Sequence, residues 1–267
     1  MTTLAEAFAR ARAEDRAALI GYLPAGFPTI PDSARLMRAM VEEGVDIVEV
    51  GLPYSDPLMD GPVIQAAADQ ALQAGTTPRD VIAVAGQVAE SGAAAVVMSY
   101  WNPIERYGVA EFAGELAAAG GSGVITPDLT PEESSAWTEA TTEHGIDRIF
   151  LVAPSSTDER IARVAAECNG FVYAASTMGV TGARTSVSGA APTLVARVKE
   201  ATDLPVAVGL GVSTGDQAAE IAAYADGVIV GSAFIRLILE ADSVDEAEVQ
   251  VRTLARELAG GVRRRSR

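Results

Sequence analysis

One pattern recurs along the chain and restricts its possible folds more than any other feature. A segment with apolar residues at helical spacing ends in a glycine or small-residue break, and a short β-branched run follows. The joins read EEGVDIVEVG, ESGAAAVVMSY, GGSGVITPD, EHGIDRIFLVAP and YADGVIVGS. Glycine at such a join suits the left-handed residue that ends many helices. The runs are too continuously apolar to have a wet face, which marks a parallel sheet covered by helices. Eight runs fit: residues 18–22, 46–50, 94–99, 123–126, 148–152, 170–174, 205–208 and 227–230. Eight parallel strands with intervening helices are expected to close into a (β/α)8, or TIM, barrel. An open doubly wound sheet is the alternative, but neither a dinucleotide fingerprint nor a second domain supports it.

At 267 residues the chain suits one such barrel. The expected domain covers 1–260, with an extra N-terminal helix from MTTLAEAFARARAEDR and a basic, disordered tail at 261–267. That N-terminal stretch has no apolar signal core, and no run of apolar residues is long enough to span a membrane. A single cysteine, Cys168, excludes an internal disulfide and suits the cytoplasm. The net charge of −16 argues against general nucleic-acid binding, because phosphates would be repelled.

A barrel of this kind carries its chemistry at the C-terminal ends of its strands. Those ends hold Tyr22, Glu49, Tyr100, Asp128, Tyr173, Gly209 and Gly231. The stretch VEVGLPYSDPLMDG places Glu49 inside an apolar strand and Asp60 on the loop that follows. Apolar strands normally exclude acids, because an unpaired buried charge is costly and shifts its pKa instead. A buried salt bridge for Glu49 and a helix cap for Asp60 are the plain alternatives to a site. Farther on, VGLGVSTGDQ and IVGSAFIRL set Gly209, Gly211, Gly231 and Ser232 on consecutive barrel loops. Small residues there let backbone N–H groups approach an anion, and Ser232 opens a helix, so a phosphate fits. The long small-residue segment 177–191, with Gly179, Gly182 and Gly189, reads as a lid or as an ordinary mobile loop. His144 at a helix end and one cysteine make a metal site improbable. Lys199, the one lysine, falls on a helix before the seventh strand, at the wrong end for a Schiff base. Acid–base catalysis remains.

VEVGLPYSDPLMDG resembles the signature of the tryptophan synthase alpha subunit. So do YLPAGFPT, MSYWNPIERYG, PDLTPEES, FVYAASTMGVTGAR and the two glycine loops. The resemblance implies cleavage of indole-3-glycerol phosphate to indole and glyceraldehyde 3-phosphate, in tryptophan biosynthesis. It puts the catalytic acid on Glu49, the indole-facing carboxylate on Asp60, and the tyrosine beside the reacting ring carbon on Tyr173. It puts Tyr22, Tyr100 and Leu210 at the substrate, and Thr181 on the lid residue that touches Asp60 on closure. The phosphate would lie against Gly182, Gly211, Gly231 and Ser232. The resemblance also implies a partner, the beta subunit of an alpha2-beta2 heterotetramer, facing Pro53, Asp56, Pro57, Asn102 and Asp128. Pyridoxal phosphate would belong to that subunit, leaving this chain without a cofactor. Two alternatives remain at this point: a non-catalytic docking activator of the beta subunit, and a stand-alone lyase.

Overall fold

The structure is a computed structural model describing residues 1–175, 190–209 and 211–264. Its strands are β1 (Ala18–Pro24), β2 (Ile47–Gly51), β3 (Ala94–Met98), β4 (Gly123–Ile125) and β5 (Asp147–Ile149). They continue as β6 (Leu151–Val152), β7 (Val172–Ala175), β8 (Val206–Gly209) and β9 (Gly227–Val230). All pair in parallel, in the order β5-β4-β3-β2-β1-β9-β8-β7-β6. The described residues thus hold nine strands where the sequence reads as eight, because the fifth run divides at Phe150. β5 pairs with β4, setting Ile149 opposite Ile125, and β6 pairs with β7, setting Leu151 opposite Tyr173. At the division the Phe150 N–H donates to Cys168 Sγ at 3.4 Å, while its carbonyl accepts from Tyr173 N at 3.2 Å. The chain itself bridges the two ends of the sheet, and the barrel closes.

Helices fill the connections. They are α1 (Leu4–Ala13), α2 (Ile30–Glu42), α3 (Pro62–Gln73), α4 (Pro78–Glu90), α5 (Trp101–Tyr107) and α6 (Val109–Ala119). There follow α7 (Ser135–His144), α8 (Asp158–Glu167), α9 (Ala190–Ala201), α10 (Gly215–Ala222), α11 (Ser232–Glu240) and α12 (Val244–Val262). Local signals set their starts: Thr29, Thr77, Thr157 and Thr214 each accept a backbone N–H of the first turn. Among the joins, Gly44, Gly92, Gly120 and Gly145 have positive φ, as the pattern requires. Gly227 does not. It lies within β9, where a Cβ would sit 2.9 Å from that of Ala207, so its smallness serves the barrel interior.

Alternation along each strand separates an inner from an outer core. Ala18, Ile20, Ile47, Val96, Ile125, Ile149, Ala207 and Ile229 fill the lumen. Leu19, Val48, Val50, Val97, Val124, Val208 and Val228 face the helices. The expected N-terminal helix is α1, started by a reciprocal capping box between Thr3 and Glu6. It packs Leu4, Ala7, Phe8 and Ala11 into the lumen cluster and covers the N-terminal mouth. Just above it, Arg16 clamps Asp46 with bonds of 2.6 and 2.9 Å.

The expectation of a loose tail after Gly260 is corrected for residues 261–264. α12 continues to Val262, since Gly261 lies against the backbone of Gly215, an approach that any side chain would block. Arg263 then donates to the Ala259 carbonyl and Arg264 pairs with Asp216, while 265–267 lie outside the described residues.

Candidate active site

Glu49 occupies the middle of β2, opposite Tyr22 on β1 and Val96 on β3. It is two residues beyond Ile47, hence on the same inward face, nearer the C-terminal mouth. Only 1% of it is exposed, and Oε1 meets no hydrogen-bond partner among the described residues. Burial alone pushes its carboxyl up to about 8. Of the plain alternatives, the salt bridge is therefore absent among the described residues.

β2 ends at Gly51, whose carbonyl accepts from Ala25 N at 2.9 Å, and Leu52 N donates to the Met98 carbonyl at 2.8 Å. From that anchored start the loop carries Asp60 to the mouth of the barrel, and α3 begins two residues later at Pro62. Asp60 is half-buried. Burial pushes its carboxyl up to about 6, and a hydrogen bond with Tyr100 opposes the rise. Asp60 is not the helix cap: Gly61 holds that position, and no side chain caps α3.

Two tyrosines flank the acids. The Tyr22 ring leans over Gly51 and Gly231, where a Cβ would lie 2.6 Å from its Oη and 3.1 Å from its Cδ1 respectively. The Tyr173 hydroxyl presses on Gly209 in the same manner. Burial first, and then the nearby carboxylates, hold both phenols well above their ordinary pKa. Asp60 is the stronger influence on Tyr22, and Glu49 on Tyr173. Both therefore keep their protons at neutral pH.

On the other side of the mouth, Gly211 has φ +67, and Ser232, 6% exposed, opens α11 behind Gly231. The first N–H groups of a helix have no acceptor within it. No side chain caps α11. Thr181, Gly182 and Leu210 lie outside the described residues, and so does the 177–191 segment except Ala190 and Ala191, which begin α9.

The residues expected to face a partner lie on neighbouring loops. Asp56 is exposed, Pro57 half-buried and Pro53 buried in the isolated chain. Asn102 donates to Tyr54 Oη at 3.3 Å, and Asp128 accepts from Trp101 N at 2.9 and 3.2 Å. Tyr54 and Leu58 lie on the same loop and are not singled out by the sequence pattern. Leu58 is 72% exposed beside Asp56 and Pro57, and its one available signal was a large apolar residue in a proline-rich polar loop. His144 ends α7 and Lys199 lies on α9, both as expected, and Lys199 pairs with Asp226. No group of three potential metal ligands occurs among the described residues.

Fold and site together define a (β/α)8 barrel with two differently poised carboxyl groups at its C-terminal mouth. The family model described as "Tryptophan synthase alpha chain" matches residues 8–263, and the chain belongs to that family. A tryptophan synthase alpha chain from Thermobifida fusca is 62% identical over 270 residues, covering 100% of both chains. One from Acidothermus cellulolyticus is 60% identical over 264 residues, covering 99% of this chain and 98% of the relative. A structure of Mycobacterium tuberculosis tryptophan synthase superposes with a TM-score of 0.92 at 56% identity, covering 98% of this chain and 99% of that one.

Proposed function

We propose that Glu49 and Asp60 divide the acid–base work of the alpha-subunit reaction, the cleavage of indole-3-glycerol phosphate to indole and glyceraldehyde 3-phosphate. The buried, unbonded Glu49 carboxyl carries this reading. With its pKa near 8 it is protonated at neutral pH and can give that proton to the indole ring carbon that bears the glycerol chain. Positive charge then develops at the ring nitrogen. Asp60, with its pKa near 6, is ionised at the same pH and accepts the ring N–H. Glu49, now a carboxylate, takes the proton of the adjacent side-chain hydroxyl. The carbon–carbon bond breaks, its electrons return to the ring, and the hydroxyl carbon leaves as the aldehyde. One proton enters and one leaves, so Glu49 ends as it began.

Tyr173 stands beside the reacting carbon and Tyr22 lines the indole pocket. Gly211, Gly231 and Ser232, joined by Gly182, offer amides to the phosphate. Thr181, Tyr100 and Leu210 complete the substrate's surroundings, with Thr181 reaching Asp60 when the lid closes. The partner is the tryptophan synthase beta subunit, which holds the pyridoxal phosphate and uses the indole. Asp56, Pro57, Pro53, Asn102 and Asp128 form the face turned to it, with Leu58 beside them. A cytoplasmic setting fits a biosynthetic enzyme whose described residues include no helix able to cross a membrane.

The test is indole release by the purified chain, with and without a beta subunit, beside Asp60→Asn. Release that the beta subunit stimulates and the substitution lowers at least ~10²-fold is expected. Undiminished release by Asp60→Asn would remove that residue from the chemistry. No release from the parent chain, with the beta subunit's activity still raised on mixing, would leave a docking activator.

A further inference from the structure

We propose that Glu257 and Gly261 of the C-terminal helix α12 are positioning residues for the phosphate-holding segment that follows β8. The inference rests on the reading that places the substrate phosphate against Gly211.

Gly211 is followed by a short run of fixed points. Val212 is 2% exposed and belongs to the outer core. The Ser213 N–H and hydroxyl both donate to Gln217 Oε1, at 2.8 and 3.2 Å. Thr214 accepts from Gln217 N, and Gly215 opens α10. The far end of the segment is then tied to α12, where Gly215 N donates to Glu257 Oε1 at 2.7 Å. Here the two backbones also meet with no side chain between them. A Cβ on Gly215 would lie 2.8 Å from the Glu257 carbonyl oxygen. One on Gly261 would lie 2.9 Å from both Cα and the carbonyl carbon of Gly215. Neither position has room for a methyl group. Arg264 closes the same contact by pairing with Asp216 at 2.8 Å.

Backbone amides grip an anion well only when their directions are fixed before it arrives. A segment of small residues supplies little of that rigidity itself, and α12 supplies it from outside. Glu257 is exposed, so its bond to Gly215 does nothing to fill the core. Gly260 gives the contrast, because a Cβ there would meet nothing within 4 Å. Of the two adjacent glycines, Gly261 makes the contact with α10 and Gly260 does not.

The experiment uses the full chain and measures calorimetric binding of the two products. Glyceraldehyde 3-phosphate carries the phosphate, and indole does not. Gly261→Ala should weaken glyceraldehyde 3-phosphate at least about fivefold and leave indole within about twofold. In turnover it should raise KM for indole-3-glycerol phosphate more than it lowers kcat. Gly260→Ala should behave as the parent. Glu257→Ala should weaken the phosphate ligand about threefold. Glu257→Gln should restore most of that loss, since its amide oxygen still accepts from Gly215. An unchanged affinity for glyceraldehyde 3-phosphate in either Gly261→Ala or Glu257→Ala overturns the proposal. So does a loss of equal size for both ligands. Should Gly261→Ala not fold, the two variants of exposed Glu257 decide. A parent chain that binds indole but not glyceraldehyde 3-phosphate would strike the phosphate reading itself, a failure visible before any variant is made.

Discussion

The two ends of the barrel bury a carboxyl group on the same stretch of chain, three residues apart, and treat it in opposite ways. At the N-terminal end Asp46 accepts from both terminal nitrogens of Arg16 and from Leu19 N at 3.0 Å, and Arg16 also bonds Glu14 at 2.7 Å. At the C-terminal end Glu49 is more deeply buried and has Oε1 without a partner among the described residues. Burial of an acid is tolerable when bonds replace its water, and costly when they do not. Evolution could have satisfied Glu49 as it did Asp46. A fold that leaves one acid without a partner for Oε1 among the described residues and bonds the other fully is what the role proposed for Glu49 requires.

That contrast can be broken most severely by Glu49→Gln. Indole release should fall at least ~10²-fold, since the acid is gone. Stability should move the other way. A carboxyl raised from 4.5 to about 8 contributes stability that is full below pH 4.5 and lost as pH rises through 8. At pH 9 the parent therefore carries a buried charge that the amide lacks. Glu49→Gln should melt higher there, with the advantage shrinking toward pH 5. A variant that is less stable at pH 9 would mean that the charge is compensated.

At the opposite end, Arg16→Ala leaves buried Asp46, among the described residues, with only the Leu19 N–H and the more distant Arg10 at 3.5 Å. Urea unfolding should show a loss of about 3–5 kcal/mol, with turnover per folded molecule unaltered. A lowered turnover would show that the two ends are not independent.

A smaller effect sharpens the difference without any substitution. Release should rise with pH through about 6 as Asp60 ionises, and fall through about 8 as Glu49 loses its proton. A profile flat across this range would deny the two acids their separate states.

The same contrast explains what could be read in advance. Eight apolar runs and their helices announce a barrel, because each must be covered on both faces. Glu49 stands out in the sequence as an acid where apolar residues are the rule, and Asp60 follows it on a loop stiffened by prolines. Long-range arrangements leave no such trace. Nothing in the run 148–152 marks Phe150 as the residue where pairing passes from one neighbour to another. Gly260 and Gly261 look like a break, yet the reason for the second glycine is a backbone in α10. Tyr100 can be placed near the site from its position after a strand, but its bonds to Leu58 and Met59 depend on how two loops meet. The paired helices α3 and α4 carry local start signals, Pro62 and Thr77 with Pro78.

The plug at the barrel floor has a consequence for the order of events when the chain is made. Leu4 and Phe8 leave the ribosome well before the residues that complete the surface receiving them. Phe8 stacks on Phe171 at 5.6 Å and lies beside Gly227 in β9, and Leu4 fits against Gly170. The full seat of α1 thus exists only once β9 lies beside β1. Contacts between residues so far apart in the chain carry a loop-closure cost that is met before they can form.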